Sequence, residues 1–177
     1  MTYKNTIKER YDELGASLYD LRYTEEQKTK YELILGELDN PMLALDNGCG
    51  TGLLFQFLDS TMVGLDLSGE LLRKARERTR NSHYLVQGDS ESLPLRCSVF
   101  DTVVSVTVIQ NLSRPEKFVE ESARVSKPNA TIIISSLKRV YSREEINRLV
   151  ENEELSVKKI LTSENVNDWI TVSTRNK

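Results

Sequence analysis

Leu45-Asp46-Asn47-Gly48-Cys49-Gly50-Thr51-Gly52 follows a short apolar run, Met42 to Leu45, and leads into a helical stretch, Leu53 to Leu58. A glycine-rich turn between a strand and a helix lets backbone amides approach a ligand with no Cβ in the way. Its spacing discriminates among nucleotides. A nicotinamide-type fingerprint needs glycine at position 53, where this chain has Leu53, and a phosphate-binding P-loop needs a Lys followed by Ser or Thr. Neither pattern is met. Taken alone, the stretch is also compatible with a glycine turn that binds nothing.

Moving outward from it, Thr61 to Leu65 is a second apolar run ending at Asp66, 20 residues after Asp46. A carboxylate at that strand end can accept hydrogen bonds from both hydroxyls of a ribose. His83 to Val86 is a third run, followed by Gly88-Asp89-Ser90. Asp89 can accept from an adenine amine while the Ser90 amide donates to the ring, although Gly-Asp-Ser alone is an ordinary turn. Three acidic strand ends in succession point to a nucleoside-like ligand.

The remaining pattern places these loops on one edge of a sheet. Ser68 can cap a helix from Gly69 to about Thr79. Phe100 to Val106 and Thr131 to Ser135 are rich in β-branched residues and read as buried central strands. Helices are expected over Pro115 to Val125 and, behind Ser142, over Arg143 to Glu151. Leu155 to Leu161 and Trp169 to Ser173 can pair as an antiparallel hairpin. Residues from about 5 to 37 read as two helical pieces, interrupted at Gly15 and Tyr19-Asp20, with Thr24 able to cap the second. Alternating strands and helices imply an α/β, doubly wound, Rossmann-like sheet. Ligands bind such sheets at the carboxyl ends of the strands, so the loops after Leu45, Leu65, Gln87, Val106 and Ser135 matter.

Composition narrows little more. At 177 residues one domain is expected, with a helical extension over 1–39, a core over 40–136 and a C-terminal helix and hairpin over 137–177. A net charge of −3 excludes a globally basic nucleic-acid binder. Cys49 and Cys97 can form no disulfide framework, and no Cys/His cluster suggests a metal. No apolar run reaches the roughly 20 residues of a membrane span, and no secretory leader is recognisable, so a cytoplasmic location is expected.

Together these residues resemble the class I S-adenosylmethionine-dependent methyltransferase family over roughly residues 40 to 136. Leu45 to Gly52 is similar to its first motif, Gly64-Leu65-Asp66-Leu67-Ser68 to its second, Gly88-Asp89-Ser90-x-x-Leu93-Pro94 to its third, and Phe100-Asp101-Thr102-Val103-Val104-Ser105 to its fourth. Within the family the look is of quinone-ring and tRNA wobble-uridine methyltransferases. The resemblance implies S-adenosylmethionine as cofactor. It implies that Asp46, with the amides of Gly48, Cys49 and Gly50, holds the methionine end. Asp66 with Leu67 would hold the ribose, and Asp89 with Ser90 the adenine. It also implies seven strands, the last antiparallel.

The chain departs from the subgroup after the fourth motif. Where the subgroup often carries a histidine pair, this sequence reads Val108-Ile109-Gln110-Asn111-Leu112. Neither amide is a general base. Gln110 and Asn111 can orient a nucleophile, or merely cap the helix near Pro115. Sulfonium is an activated leaving group, so positioning for in-line attack can suffice with a thiolate, a neutral amine or an easily ionised oxygen. His83 starts the third strand at the opposite end and reads as structural, and neither cysteine is placed as a nucleophile.

Tyr19 and Tyr23 of the N-terminal segment can line a substrate entrance or simply pack a peripheral helix. The short link Ser136 to Tyr141 leaves no room for the helices that enclose small acceptors in related enzymes, so an open site is expected. Lys138 and Arg139 then lie at its rim, suited to phosphate contacts, and Arg73-Lys74-x-Arg76-x-Arg78-x-Arg80 gives a second basic run. The expected acceptor is a macromolecule, a tRNA-like RNA ahead of protein. The alternatives are a quinone-like or other small molecule, or a non-catalytic cofactor-binding subunit. A small zinc-binding activator is a possible partner, as for some compact family members.

Overall fold

The computed structural model describes residues 27–177. The expected helix break at Gly15, the Thr24 cap, Tyr19 and Tyr23 lie outside these residues. Within them, seven strands form one sheet: β1 Leu43–Asn47, β2 Thr61–Asp66, β3 His83–Gln87, β4 Phe100–Ser105, β5 Ser126–Leu137, β6 Leu155–Leu161 and β7 Asp168–Arg175. Their order is β3-β2-β1-β4-β5-β7-β6. β1 to β5 pair in parallel, and β7 is inserted antiparallel between β5 and β6. The order reverses between β1 and β4, which places the switch point beside Asp46.

Both faces are covered, as parallel strands require. One face packs Leu45, Leu65, Val103, Ile132 and Ile134 against helices α3 (Pro115–Val125) and α4 (Arg143–Val150) through Phe118, Val119, Ile146 and Val150. The other packs Ala44, Met62, Val104, Ile133 and Ile170 against the helical residues 27–35, here α1, and the turn that follows the glycine loop. Tyr31 and Ile34 carry the α1 contact. The alternation of faces along Val103-Val104 and Ile132-Ile133-Ile134 explains why these runs are apolar at every position.

The boundaries differ from expectation in three places. Leu53 to Leu58 is no α-helix but a 3-10 turn over Leu53–Gln56, begun by Gly52 at φ +73°. The Ser68-capped helix α2 covers only Gly69–Ala75 and tightens into a 3-10 turn over Arg76–Arg78. Ser68 Oγ does accept from the Leu71 amide at 3.2 Å. β5 begins five residues earlier than Thr131, because Ser126 pairs with Phe100 before a register shift. At α4 the expected Ser142 start is a full capping box with Glu145.

Candidate functional site

The glycine loop leaves β1 and folds back onto the end of β2. The amides of Gly48 and Cys49 both donate to the Leu65 carbonyl, at 2.7 and 2.9 Å. Gly48 has φ +87°, and a Cβ there would run into the Val108 side chain of the loop after β4. The loop is therefore glycine-specific for two reasons, conformation and close approach. Asp66 completes the turn: Oδ2 accepts from the Gly50 amide and Oδ1 from the Ser68 amide, each at 2.9 Å. The expected ribose carboxylate thus also braces the loop that precedes it.

Asp46 lies beneath this turn and is buried. Burial, and secondarily the charge of Asp66, push its carboxyl pKa up to about 8. A cation brought to this carboxylate would restore its ionised form. The same burial, with Asp46 and Asp66 nearby, pushes the Cys49 thiol well above the usual range, so Cys49 is no nucleophile. A small recess here is lined by Asp46, the Gly48–Thr51 backbone and, from α1, Gln27 and Tyr31. Gln27 Oε1 is buried and has no hydrogen-bond donor among the described residues. A buried carboxylate poised to ionise, an orphaned amide oxygen and a cradle that only glycine leaves open fit a cofactor bearing an ammonium group.

At the end of β3, Asp89 Oδ1 accepts from the Glu91 amide and the Asp89 carbonyl from the Ser92 amide, each at 2.9 Å. Gly88-Asp89-Ser90 thus forms the turn that its residue types suggest. Ser90 is buried beside it. Leu67 is half-buried, and its carbonyl accepts from Gln87 Nε2 at 3.1 Å.

The loop after β4 is where the sequence reading fell short. Gln110 and Asn111 do not cap α3. Both side-chain amides turn back to the Thr107 carbonyl, Gln110 through Nε2 and Asn111 through Nδ2 at 3.4 Å, closing a 3-10 turn over Ile109–Asn111. Gln110 Oε1 is left buried and without a donor. Glu91 serves the start of α3 instead. It is 0% exposed, and its carboxylate accepts from the Ser113 and Arg114 amides at 2.7 and 3.0 Å. Nothing in the sequence around Glu91 distinguishes it from a surface glutamate.

Two of the basic residues are engaged within the fold, Lys138 and Arg78. Lys138 donates to the Val166 carbonyl at 2.6 Å and lies 5.2 Å from the Trp169 ring centroid. Arg139, its neighbour, is exposed. Arg78 closes the glycine loop through the Thr51 carbonyl at 2.7 Å, and Arg73 pairs with Glu70 on the surface. His83 lies at the start of β3, away from the site, its ring tilted 41° against that of Phe55 at 4.9 Å, with Nδ1 accepting from the Arg80 amide. Among the described residues no cluster of three His, Cys, Asp or Glu could hold a metal, and no helix is long and apolar enough to cross a membrane.

Residues 45–134 match a family described as a methyltransferase domain. The malonyl-[acyl-carrier protein] O-methyltransferase of Marinomonas sp. is 34% identical over 147 residues, covering 77% of this chain and 53% of the relative. That of Pectobacterium atrosepticum is 33% identical over 128 residues, covering 70% and 50%. The chain therefore spans about half the length of the curated relatives it matches. Among solved structures, a chain from the complex between the Haloferax volcanii Trm112 methyltransferase activator and a putative methyltransferase superposes with a TM-score of 0.80 at 18% identity, covering 94% of this chain and 98% of that one. A SAM-dependent methyltransferase from Aquifex aeolicus gives 0.71 at 22% identity, covering 82% and 89%.

Proposed function

The chain belongs to the class I S-adenosylmethionine-dependent methyltransferase family, and we propose that it methylates an acceptor oxygen that is already ionised at neutral pH, a carboxylate on a carrier-borne acyl group. The cofactor supplies an activated methyl on a positively charged sulfur. Asp46 would hold the methionine ammonium, with the Gly48, Cys49 and Gly50 backbone around the methionine end. Asp66, beside Leu67, would take the ribose hydroxyls, and Asp89 with the Ser90 amide the adenine.

The observation that carries the acceptor assignment is the loop after β4. Gln110 and Asn111 there carry amides, which can orient a group but cannot remove its proton. A carboxylate asks for no proton removal: its oxygen is already a nucleophile, and the cofactor would supply the methyl carbon and take up the displaced electron pair as a neutral thioether. The relatives named for malonyl-[acyl-carrier protein] O-methylation support the same chemistry.

A second reading is a structured RNA acceptor with a small activator protein bound; only its activator part draws on the likeness to the Haloferax chain. It is weakened by the engagement of Lys138 and Arg78 inside the fold. The test offers labelled cofactor with a malonyl thioester and, separately, total tRNA. Base-labile label on the thioester is expected. Label in the RNA alone would reject the carboxylate assignment.

A further inference from the structure

Thr107, two residues past β4, has φ +62°. A β-branched residue in the left-handed region is strained and persists only when its surroundings hold it. Three side chains from distant parts of the chain do so. The Thr107 amide donates to Ser135 Oγ at 2.8 Å, and the Thr107 hydroxyl donates to Asp168 Oδ2 at 2.9 Å. Ser135 Oγ donates to the same Asp168 oxygen at 2.7 Å. Lys30 Nζ donates to Thr107 Oγ1 at 3.1 Å and lies 2.9 Å from Asp168 Oδ1. Lys30 is 1% exposed and Asp168 0%.

This ion pair has a specific neighbourhood. Lys30 sits on α1 one residue before Tyr31, which with Gln27 lines the cofactor recess. Thr107 precedes Val108, the side chain packed under Gly48. Its carbonyl accepts from both Gln110 and Asn111. The conformation of one residue thus fixes the floor of the glycine loop and the direction of both acceptor-side amides.

We infer that Lys30 and Asp168 are positioning residues, whose buried ion pair locks Thr107 in its left-handed turn and so couples docking of α1 over the cofactor recess to the geometry of the acceptor loop. The inference rests on the methyltransferase reading for what the loop faces. The clamp itself rests on the distances above. Burying a charge pair is costly, and breaking it leaves a lone charge in the interior, so the pair ties α1, β7 and the loop into one unit.

Amide hydrogen exchange on the full chain tests it. The Asn111 and Leu112 amides donate to the Val108 and Ile109 carbonyls at 2.9 and 3.3 Å, and their protection reports the turn. Asp168→Asn is expected to speed their exchange roughly tenfold or more, with the β1 and β4 amides unchanged. Adding Thr107→Gly is expected to restore protection to within about threefold of wild type, because glycine adopts the turn without help. Thr107→Val keeps the branched side chain but loses the hydroxyl, and is expected to loosen the same two amides even if Asp168→Asn does not fold. Unchanged exchange in Thr107→Val, or no recovery on adding Thr107→Gly, would overturn the inference. A wild-type chain that fails to bind S-adenosylmethionine by calorimetry would sink the functional reading, whereas the exchange result needs no cofactor.

Discussion

The loops after β1 and β4 sit side by side at the switch point and solve the same backbone problem in opposite ways. After β1, positive φ falls on Gly48, Gly50 and Gly52. Glycine adopts that region freely, so the loop shape is written in consecutive residues. After β4, positive φ falls on Thr107, and the conformation is imposed by Lys30, Ser135 and Asp168. The turn proposed to cradle the cofactor takes its conformation from its own glycines. The acceptor half is assembled from residues up to 138 positions apart, Lys30 to Asp168. A loop of the first kind tolerates divergence elsewhere in the chain, while one of the second kind can be retuned by changes far from the site.

The sharpest way to break this contrast is to remove Lys30. Lys30→Met leaves Asp168 buried and unpaired, and a loss of about 3–5 kcal/mol is expected. A urea unfolding midpoint near wild type would show that the acceptor loop does not depend on the pair. Gly48→Ala attacks the other half. A left-handed alanine costs roughly 1–2 kcal/mol, and the collision with Val108 adds strain, so a somewhat smaller destabilisation is expected together with loss of cofactor binding. Retained binding would mean that the cradle needs no glycine.

A weaker effect comes from pH. Asp46 has its carboxyl raised to about 8 in the folded chain against an ordinary value of 3.8. Between these values the native state binds more protons than the unfolded one, so this group's contribution is greatest below about 4 and is lost as pH rises through about 8. The thermal midpoint of the cofactor-free protein should therefore fall between pH 5.5 and 8 in wild type and less steeply in Asp46→Asn. Equal slopes in the two proteins would contradict the assignment.

How much was legible in the sequence follows the same division. The sheet, its seven strands and the order of loops were readable because β-branched runs such as Val103-Val104 and Ile132-Ile133-Ile134 have no other stable environment. The places of Asp46, Asp66 and Asp89 along the carboxyl edge of the sheet were readable because each lies at or just beside the end of an apolar run. The clamp was not. Lys30 lies on the helix face that Tyr31 and Ile34 mark as buried, which was its only signal, and its partner Asp168 read as the residue before a strand. Glu91 gave none, since the donors to its carboxylate, the Ser113 and Arg114 amides, come from a loop 22 and 23 residues away. Side-chain rescue of backbone amides depends on which loops meet, and periodicity carries no such information.

Calorimetric titration with S-adenosylmethionine, in wild type and in Asp66→Ala, tests the central claim most directly. Asp66 should serve twice, bracing Gly50 and Ser68 and receiving the ribose. The account predicts saturable binding at one site per chain, weakened roughly tenfold or more in Asp66→Ala, as expected for lost hydrogen bonds to a charged group. No binding in wild type, or equal affinity in the two proteins, would contradict it.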